Sequence, residues 1–427
     1  MITFFKKHLW VFVLILTLVL LPQAINIQSE LNMRIIITGM GVDLTDDGEY
    51  EVFAQVVRPT AGSTGAGSNA SIDIVSAKGK NLSDGIYKVS YLLGKTAGLG
   101  HINCIVIGKK LAESENVLSS LDYFIRDGRV PNSALVLIAE NTAKETLNKT
   151  KNLDLSTAVG LQKLFLYKQE SLNGTMMQIE SFMNNFYNPS KSGLISEISF
   201  EEEPKEEQSS SSGGSGGESS GGLLSSGSES SGSSQGGGQN SARIKYNNSL
   251  YMFKNGYKTG KIEDEKSLIG VNLLNPSSKG GYIQIDGVSD NIFKDASLGI
   301  YMRDKKVKWK VEFDENGNPI CKVKIKTKRN EVVEILTEDE QNKDKYLTQN
   351  LYLTDSVVNT LKSKIEECII SAFEEGKNVQ TDIFNLGTRL YRSSPKKWRN
   401  FLNSLPEGQD YITKLNLQVE VEIDKDF

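Results

Sequence analysis

A chain of 427 residues is too long for one ordinary hydrophobic core, so two or three domains are expected beyond any targeting segment. Its 49 Lys and Arg nearly balance 53 Asp and Glu, which argues against a phosphate-driven nucleic-acid binder or a highly charged tail protein. The three cysteines, Cys104, Cys321 and Cys368, lack the paired spacing of a zinc or redox motif; Cys104 and Cys321 fall in runs where cysteine packs as a small buried hydrophobe.

The chain opens with Lys6, Lys7 and His8 ahead of an uncharged apolar run, Leu9 to Leu21, that ends at Pro22. That is the layout of a signal peptide. The run is short beside the roughly 20 apolar residues of a spanning helix, although the uncharged stretch continues to Ser29. Positive charge before the run sets the N-terminus inside and the bulk of the chain outside. Pro22 replaces the small residue wanted three positions before a cut after Ala24. Residues 1-31 are therefore read as a retained anchor, with cleavage and release as the alternative.

Arg34 to Asp43 (RIIITGMGVD) is β-branched and Glu49 to Arg58 (EYEVFAQVVR) alternates; joined through Asp46-Asp47-Gly48, they predict a hairpin with a loop longer than two residues. Ser63 to Ser71 reads as a loop and Ile72 to Ala77 as a third strand. Leu82, Ile86, Val89 and Leu93 recur at helical spacing. His101 to Gly108 (HINCIVIG) reads as an apolar strand, Val117 to Ile125 as a helix and Ala134 to Ala139 as another strand. This order makes residues 32-150 an α+β or α/β domain with a mixed sheet.

Residues 155 to 187 read as helical, and Leu194 to Glu201 as a strand. Segment 201-242 is almost wholly Ser and Gly after a short acidic start, a composition expected to stay flexible and solvated. It interrupts a middle domain, 151-277. Two short strands are expected around Asn247-Asn248, a turn at Asn255-Gly256 and a helix from Asp264 to Leu274. The last domain, 278-427, carries three alternating strands (Tyr282 to Ile285, Val307 to Phe313, Ile320 to Lys326), helices at Asp355 to Glu375 and Ile383 to Arg392, and a period-two strand from Leu415 to Ile423.

Little of this supports catalysis. One histidine lies in the leader and the other, His101, opens an apolar run, so neither a Ser-His-Asp arrangement nor a histidine-rich metal site can be built. His101 reads as a structural residue. Gly39 and Gly41 follow a strand without the third glycine of a dinucleotide fingerprint, so Gly41 is expected to permit a turn or close packing. Glu366-Glu367 and Asp46-Asp47 read as solvated faces. A carboxylate pair assembled from distant positions is not visible in a sequence.

Several separate blocks resemble one family, the Ger(x)C family, the C subunit of bacterial spore germinant receptors. RIIITGMGVD with DGEYEVFAQVVRP, carrying Gly39, Gly41 and Asp43, is similar to the family's opening strand pair. GLGHINCIVIGKKLAE, with His101, resembles its histidine-led strand. LYMFKNGYKTGKIEDEKSLIGVNLL resembles a middle block, with Gly260-Lys261-Ile262 in place of the usual Gly-Trp-Leu. TDIFNLGTRLYRSSPKKW is the most specific match, through Asp382, Ile383, Phe384, Gly387, Tyr391, Pro395 and Trp398. The family usually carries a lipobox cysteine ahead of the first domain; Ile25 is the approximate counterpart, so thioether lipidation is not expected. The resemblance implies a three-domain α+β scaffold on the extracytoplasmic face of the spore inner membrane, working with integral membrane A- and B-type subunits. It implies no catalysis and no cofactor. A secreted or membrane-anchored binding module on the same scaffold, without receptor function, is the alternative.

Overall fold

The computed structural model describes residues 34–58, 71–149, 157–170, 172, 174–201, 243–245, 249–336 and 353–425, together with 14, 16 and 17. Most of residues 1–31, including Ile25, the loop at 63–70, the Ser/Gly-rich run at 202–242 and the expected Asn247-Asn248 turn lie outside those residues.

The expected hairpin opens the fold. β1 (Arg34–Leu44) and β2 (Tyr50–Arg58) pair antiparallel, closed by a hydrogen bond from Thr45 N to Glu49 O at 2.9 Å, and β3 (Ser71–Gly79) continues the meander. The helix α1 (Leu82–Leu93) follows, its Asn81 side chain accepting from Asp84 N and its end marked by Gly94 in the left-handed region. These are ordinary start and stop devices. After β4 (Thr96–Gly98) the chain passes through a 3-10 turn, Leu99–His101, into β5 (Cys104–Ile107). His101 thus precedes the strand and is exposed, whereas the apolar run suggested that it opened it.

Next come α2 (Lys109–Ser114), α3 (Val117–Asp127), β6 (Leu135–Ala139), α4 (Ala143–Lys149), α5 (Thr157–Glu170), α6 (Ile179–Tyr187) and β7 (Ser192–Ile198). The short strands β8 (Phe200–Glu201) and β9 (Arg243–Ile244) pair with each other. Then β10 (Leu250–Lys254) and β11 (Tyr257–Ile262) form a hairpin through Asn255 (φ 51°) and Gly256 (φ 87°). A two-residue loop with both φ values positive suits the twist of the strands, and Asn-Gly adopts it readily.

The sheet order is β11-β10-β7-β6-β5-β1-β2-β3, with β4 beside β1. Pairings among β1, β5, β6 and β7 are parallel and those at both flanks antiparallel, giving the mixed sheet expected. Strands from both sides of residue 150 join this one sheet. Helices cover both faces: α1, α2, α3 and α6 supply Ile86, Leu111, Phe124 and Phe182 to one core, and α4 and α5 supply Leu147 and Phe165 to the other. The central strands are accordingly apolar on both faces rather than alternating, as in Cys104–Ile107 and Leu135–Ala139, buried throughout.

The second sheet runs β12 (Gly281–Val288), β13 (Ala296–Phe313), β14 (Pro319–Leu336) and β15 (Leu417–Ile423), with β15 parallel to β14. β13 and β14 are each 18 residues long, far beyond the alternating cores that mark them in the sequence. One face is covered by α7 (Glu265–Leu274) and α8 (Asp355–Asn378); α9 (Leu386–Ser393) and α10 (Pro395–Asn403) lie near its end. α7 and α8 touch at Gly270, where a Cβ would come within 2.0 Å of the Cys368 carbonyl oxygen. Leu194, Leu250 and Met252 of the first sheet share a core with this unit. The molecule is an α+β protein, and its free cysteines 104, 321 and 368 are all buried. Among the described residues no helix is long and apolar enough to cross a membrane.

Candidate functional site

The residues singled out from the sequence gather at two places. On β1, Asp43 Oδ1 accepts from Ala143 N at 2.8 Å and Oδ2 from Lys144 N at 3.3 Å. Those amides open α4 and have no partner within the helix. Burial pushes the Asp43 carboxyl up from its usual 3.8, against the lowering pull of the two amides. Gly39 and Gly41 let helices approach the same strand: a Cβ at Gly39 would lie 2.9 Å from Ala158 Cβ, and one at Gly41 3.0 Å from Ala143 Cβ. The three residues form a packing seam.

The second place is the turn before α9. Asp382 is buried; its Oδ1 accepts from Leu386 N at 2.9 Å, and its Oδ2 accepts from Gly387 N at 2.7 Å and from the Tyr411 hydroxyl at 2.8 Å. Gly387 is required by that arrangement, since a Cβ there would meet the Tyr411 hydroxyl at 2.6 Å. Burial pushes the Asp382 carboxyl up despite its three donors, and burial followed by the neighbouring Asp382 pushes the Tyr411 hydroxyl well above 10. Nearby, burial and then Asp382 raise the Cys321 thiol to about 12. Trp398 packs edge-on against the Tyr411 ring at 5.0 Å, and Phe384 lies 6.0 Å from Trp309. Asp382, Phe384, Gly387 and Trp398 are thus brought together, whereas Tyr391 is 41% exposed and stands apart.

This turn is tied to the first sheet. Asp382 N donates to Ser192 Oγ at 3.2 Å, and Ser192 Oγ donates to Ser190 O at 2.8 Å. Ser190 Oγ donates to Asn385 Oδ1 at 2.7 Å and lies 2.9 Å from Thr388 Oγ1. Lys254, at the end of β10, donates to Gln380 O at 2.6 Å and forms an ion pair with Asp410. The result is a hydrogen-bonded clasp between the two sheets. Beside it lies a cleft of about 250 Å³, bounded by α6, β7, the end of α7, Trp309 of β13, and Asn385 and Arg389 of the turn and α9.

A third cluster was invisible in the sequence. The Tyr251 hydroxyl lies 3.3 Å from Glu113 Oε1 and 3.4 Å from Glu197 Oε1, two acids from distant positions. Lys258 pairs with Glu113 at 2.6 Å, and Lys261 pairs with Glu197 at 3.0 Å and with Glu263 at 2.7 Å. Desolvation and then Glu197 push the Tyr251 hydroxyl up. His101 belongs to none of these places; its carbonyl accepts from Asn103 Nδ2 at 3.0 Å. Among the described residues no three His, Cys, Asp or Glu side chains are grouped as a metal ion would need.

Sequence reasoning missed Tyr411, Ser190, Ser192, Trp309 and Arg389. Tyr411 reaches Asp382 from 29 residues away and the two serines from about 190, so local pattern carries no trace of them. The spacing of Asp382 and Gly387 was the available signal: a buried acid ahead of a short helix, with a glycine in its first turn, marks a capped turn that something else must enter.

Two family profiles match the chain on either side of the Ser/Gly-rich run, and β10 and β11, which complete the first sheet, fall in the second match. Residues 28–200 match the profile for the spore germination protein N-terminal domain, and residues 248–425 that described as spore germination B3/GerAC like, C-terminal. Both halves of the chain are therefore those of a spore germination protein. The chain belongs to the Ger(x)C family. It is 23% identical to spore germination protein KC of Bacillus subtilis, over 98% of this chain and 95% of that one, and 26% identical to spore germination protein B3 of the same organism over 26% and 29%. The crystal structure of the GerBC protein superposes with a TM-score of 0.47 at 15% identity, covering 90% of this chain and 96% of the other.

Proposed function

We propose that this chain is a non-catalytic, extracytoplasmic subunit of a spore nutrient-germinant receptor, supporting assembly or signalling with integral membrane A- and B-type subunits. The observation that carries this reading is the family match through both halves, with alignment to spore germination protein KC over 98% of the chain. The use of the acids supports the absence of catalysis. Asp43 and Asp382 are committed to backbone amides, and Glu113 and Glu197 to lysines. Retention of residues 1-31 as an anchor would hold the protein at the membrane without a lipidated cysteine at Ile25.

Deleting the gene in the spore-forming source organism tests the reading. Spores of the deletion strain lose nutrient-triggered germination, and the intact gene restores it. Normal germination, with no second copy of the gene present, would overturn the receptor assignment and leave the binding-module alternative.

A further inference from the structure

The clasp accounts for the polar groups on one side of the cleft beside it, and leaves Arg389 unaccounted for. The Arg389 guanidinium carbon sits 4.5 Å from the centre of the Trp309 ring, and its Nε donates a long 3.5 Å hydrogen bond to Phe384 O. Among the described residues no carboxylate lies within ion-pair distance of it. Asp382, the acid that acts on it most strongly, already has both oxygens engaged by Leu386 N, Gly387 N and the Tyr411 hydroxyl. Stacked on Trp309, with donors that no other described residue takes, the half-buried guanidinium presents a planar fork shaped for a carboxylate.

The rest of the cleft is mixed, with Thr175, Ser181 and Asn275 beside an apolar patch. Met177 and Leu194 line it from the first unit, and Val271, Leu274 and Phe384 from the second. Asn185 stands between, its Oδ1 accepting from Asn385 Nδ2 at 3.5 Å. At about 250 Å³ the space falls below the roughly 300–1,000 Å³ of pockets for drug-sized ligands, so its occupant is small.

We propose that this cleft binds a small carboxylate with an apolar body, its carboxylate on Arg389 over Trp309 and its body against Met177, Leu194, Val271 and Leu274. Arg389 is the one cation among the described lining residues, and with Asp382 beside it this favours one negative charge over the nearly two of a phosphate at neutral pH. Because the walls come from both units, an occupant would bridge them next to the clasp. The proposal is independent of the receptor assignment.

Isothermal titration of the full chain with acetate, butyrate, hexanoate and phenylacetate tests it, with hexanol and inorganic phosphate as comparisons. Saturable binding is expected for at least one of the longer acids, accompanied by a change in tryptophan fluorescence, with hexanol and phosphate failing to saturate. Arg389→Gln should weaken binding about tenfold or more, the loss of a charge-assisted hydrogen bond. Ser277→Phe, at an exposed position on the rim, should weaken it by obstruction and decides the matter if Arg389→Gln does not fold. No saturable binding of any acid, equal binding of hexanol or phosphate, or unchanged affinity in both folded variants would overturn the proposal.

Discussion

Asp382 carries the clasp because it satisfies three donors at once, two of them amides at the start of α9. Replacing it with alanine strands those donors in a buried place, so Asp382→Ala is expected to cost about 2–4 kcal/mol. Tyr411→Phe removes one donor together with its need for a partner and should cost about 1 kcal/mol. Urea unfolding at neutral pH measures both, and an Asp382→Ala variant within about 0.5 kcal/mol of wild type would show that the turn is held by other contacts. The sequence marked Asp382, Phe384, Gly387 and Trp398 through the family block, with Phe384 and Trp398 read as packing residues, but not the partners of Asp382, because Tyr411 and Ser192 arrive from elsewhere in the chain. Asp43 was marked in the same way, and its partners lie 100 residues on.

At the scale of elements, the expected strands and helices are nearly all present, and the largest discrepancy is the length of β13 and β14. Arg303 to Lys308 (RDKKVK) hides a strand because five of its six residues are charged. The charges are accommodated across the sheet: Arg303 pairs with Glu331 at 2.8 Å, and on β14 Lys324 and Lys326 pair with Glu420 and Glu422 of β15 at 2.6 and 2.5 Å. Lys305 from the same run is buried, and donates to Leu273 O and Asn275 O at 2.7 Å each, closing the end of α7. A cap supplied from 30 residues away cannot be read from the helix that receives it.

Burial lowers the Lys305 ammonium from 10.5 to about 8, which gives a signed prediction. Between those two values the unfolded chain binds more protons than the folded one, so unfolding free energy rises with pH there. Subtracting the profile of Lys305→Met isolates this group from other lysines and tyrosines. The difference should grow in favour of wild type from about pH 8 to 10.5 in urea titrations, and a flat difference would contradict the burial of a protonated Lys305.

At the scale of the whole molecule, the expected α+β class holds, and the composition break at 201-242 separates the two matched halves. The mixing across it was not legible. Alternation and run length identify strands but not their neighbours, so nothing local says that β10 pairs with β7 across that break, or that both units share a core. The clasp, the shared core and the cleft make the two halves one scaffold, and the proposed function has that scaffold supporting assembly or signalling with membrane A- and B-type subunits. Affinity purification of the full chain from detergent-solubilised spore inner membranes tests this most directly. The A- and B-type membrane subunits are predicted to co-elute with it; recovery of the chain alone, or wholly in the soluble extracellular fraction, would contradict the account.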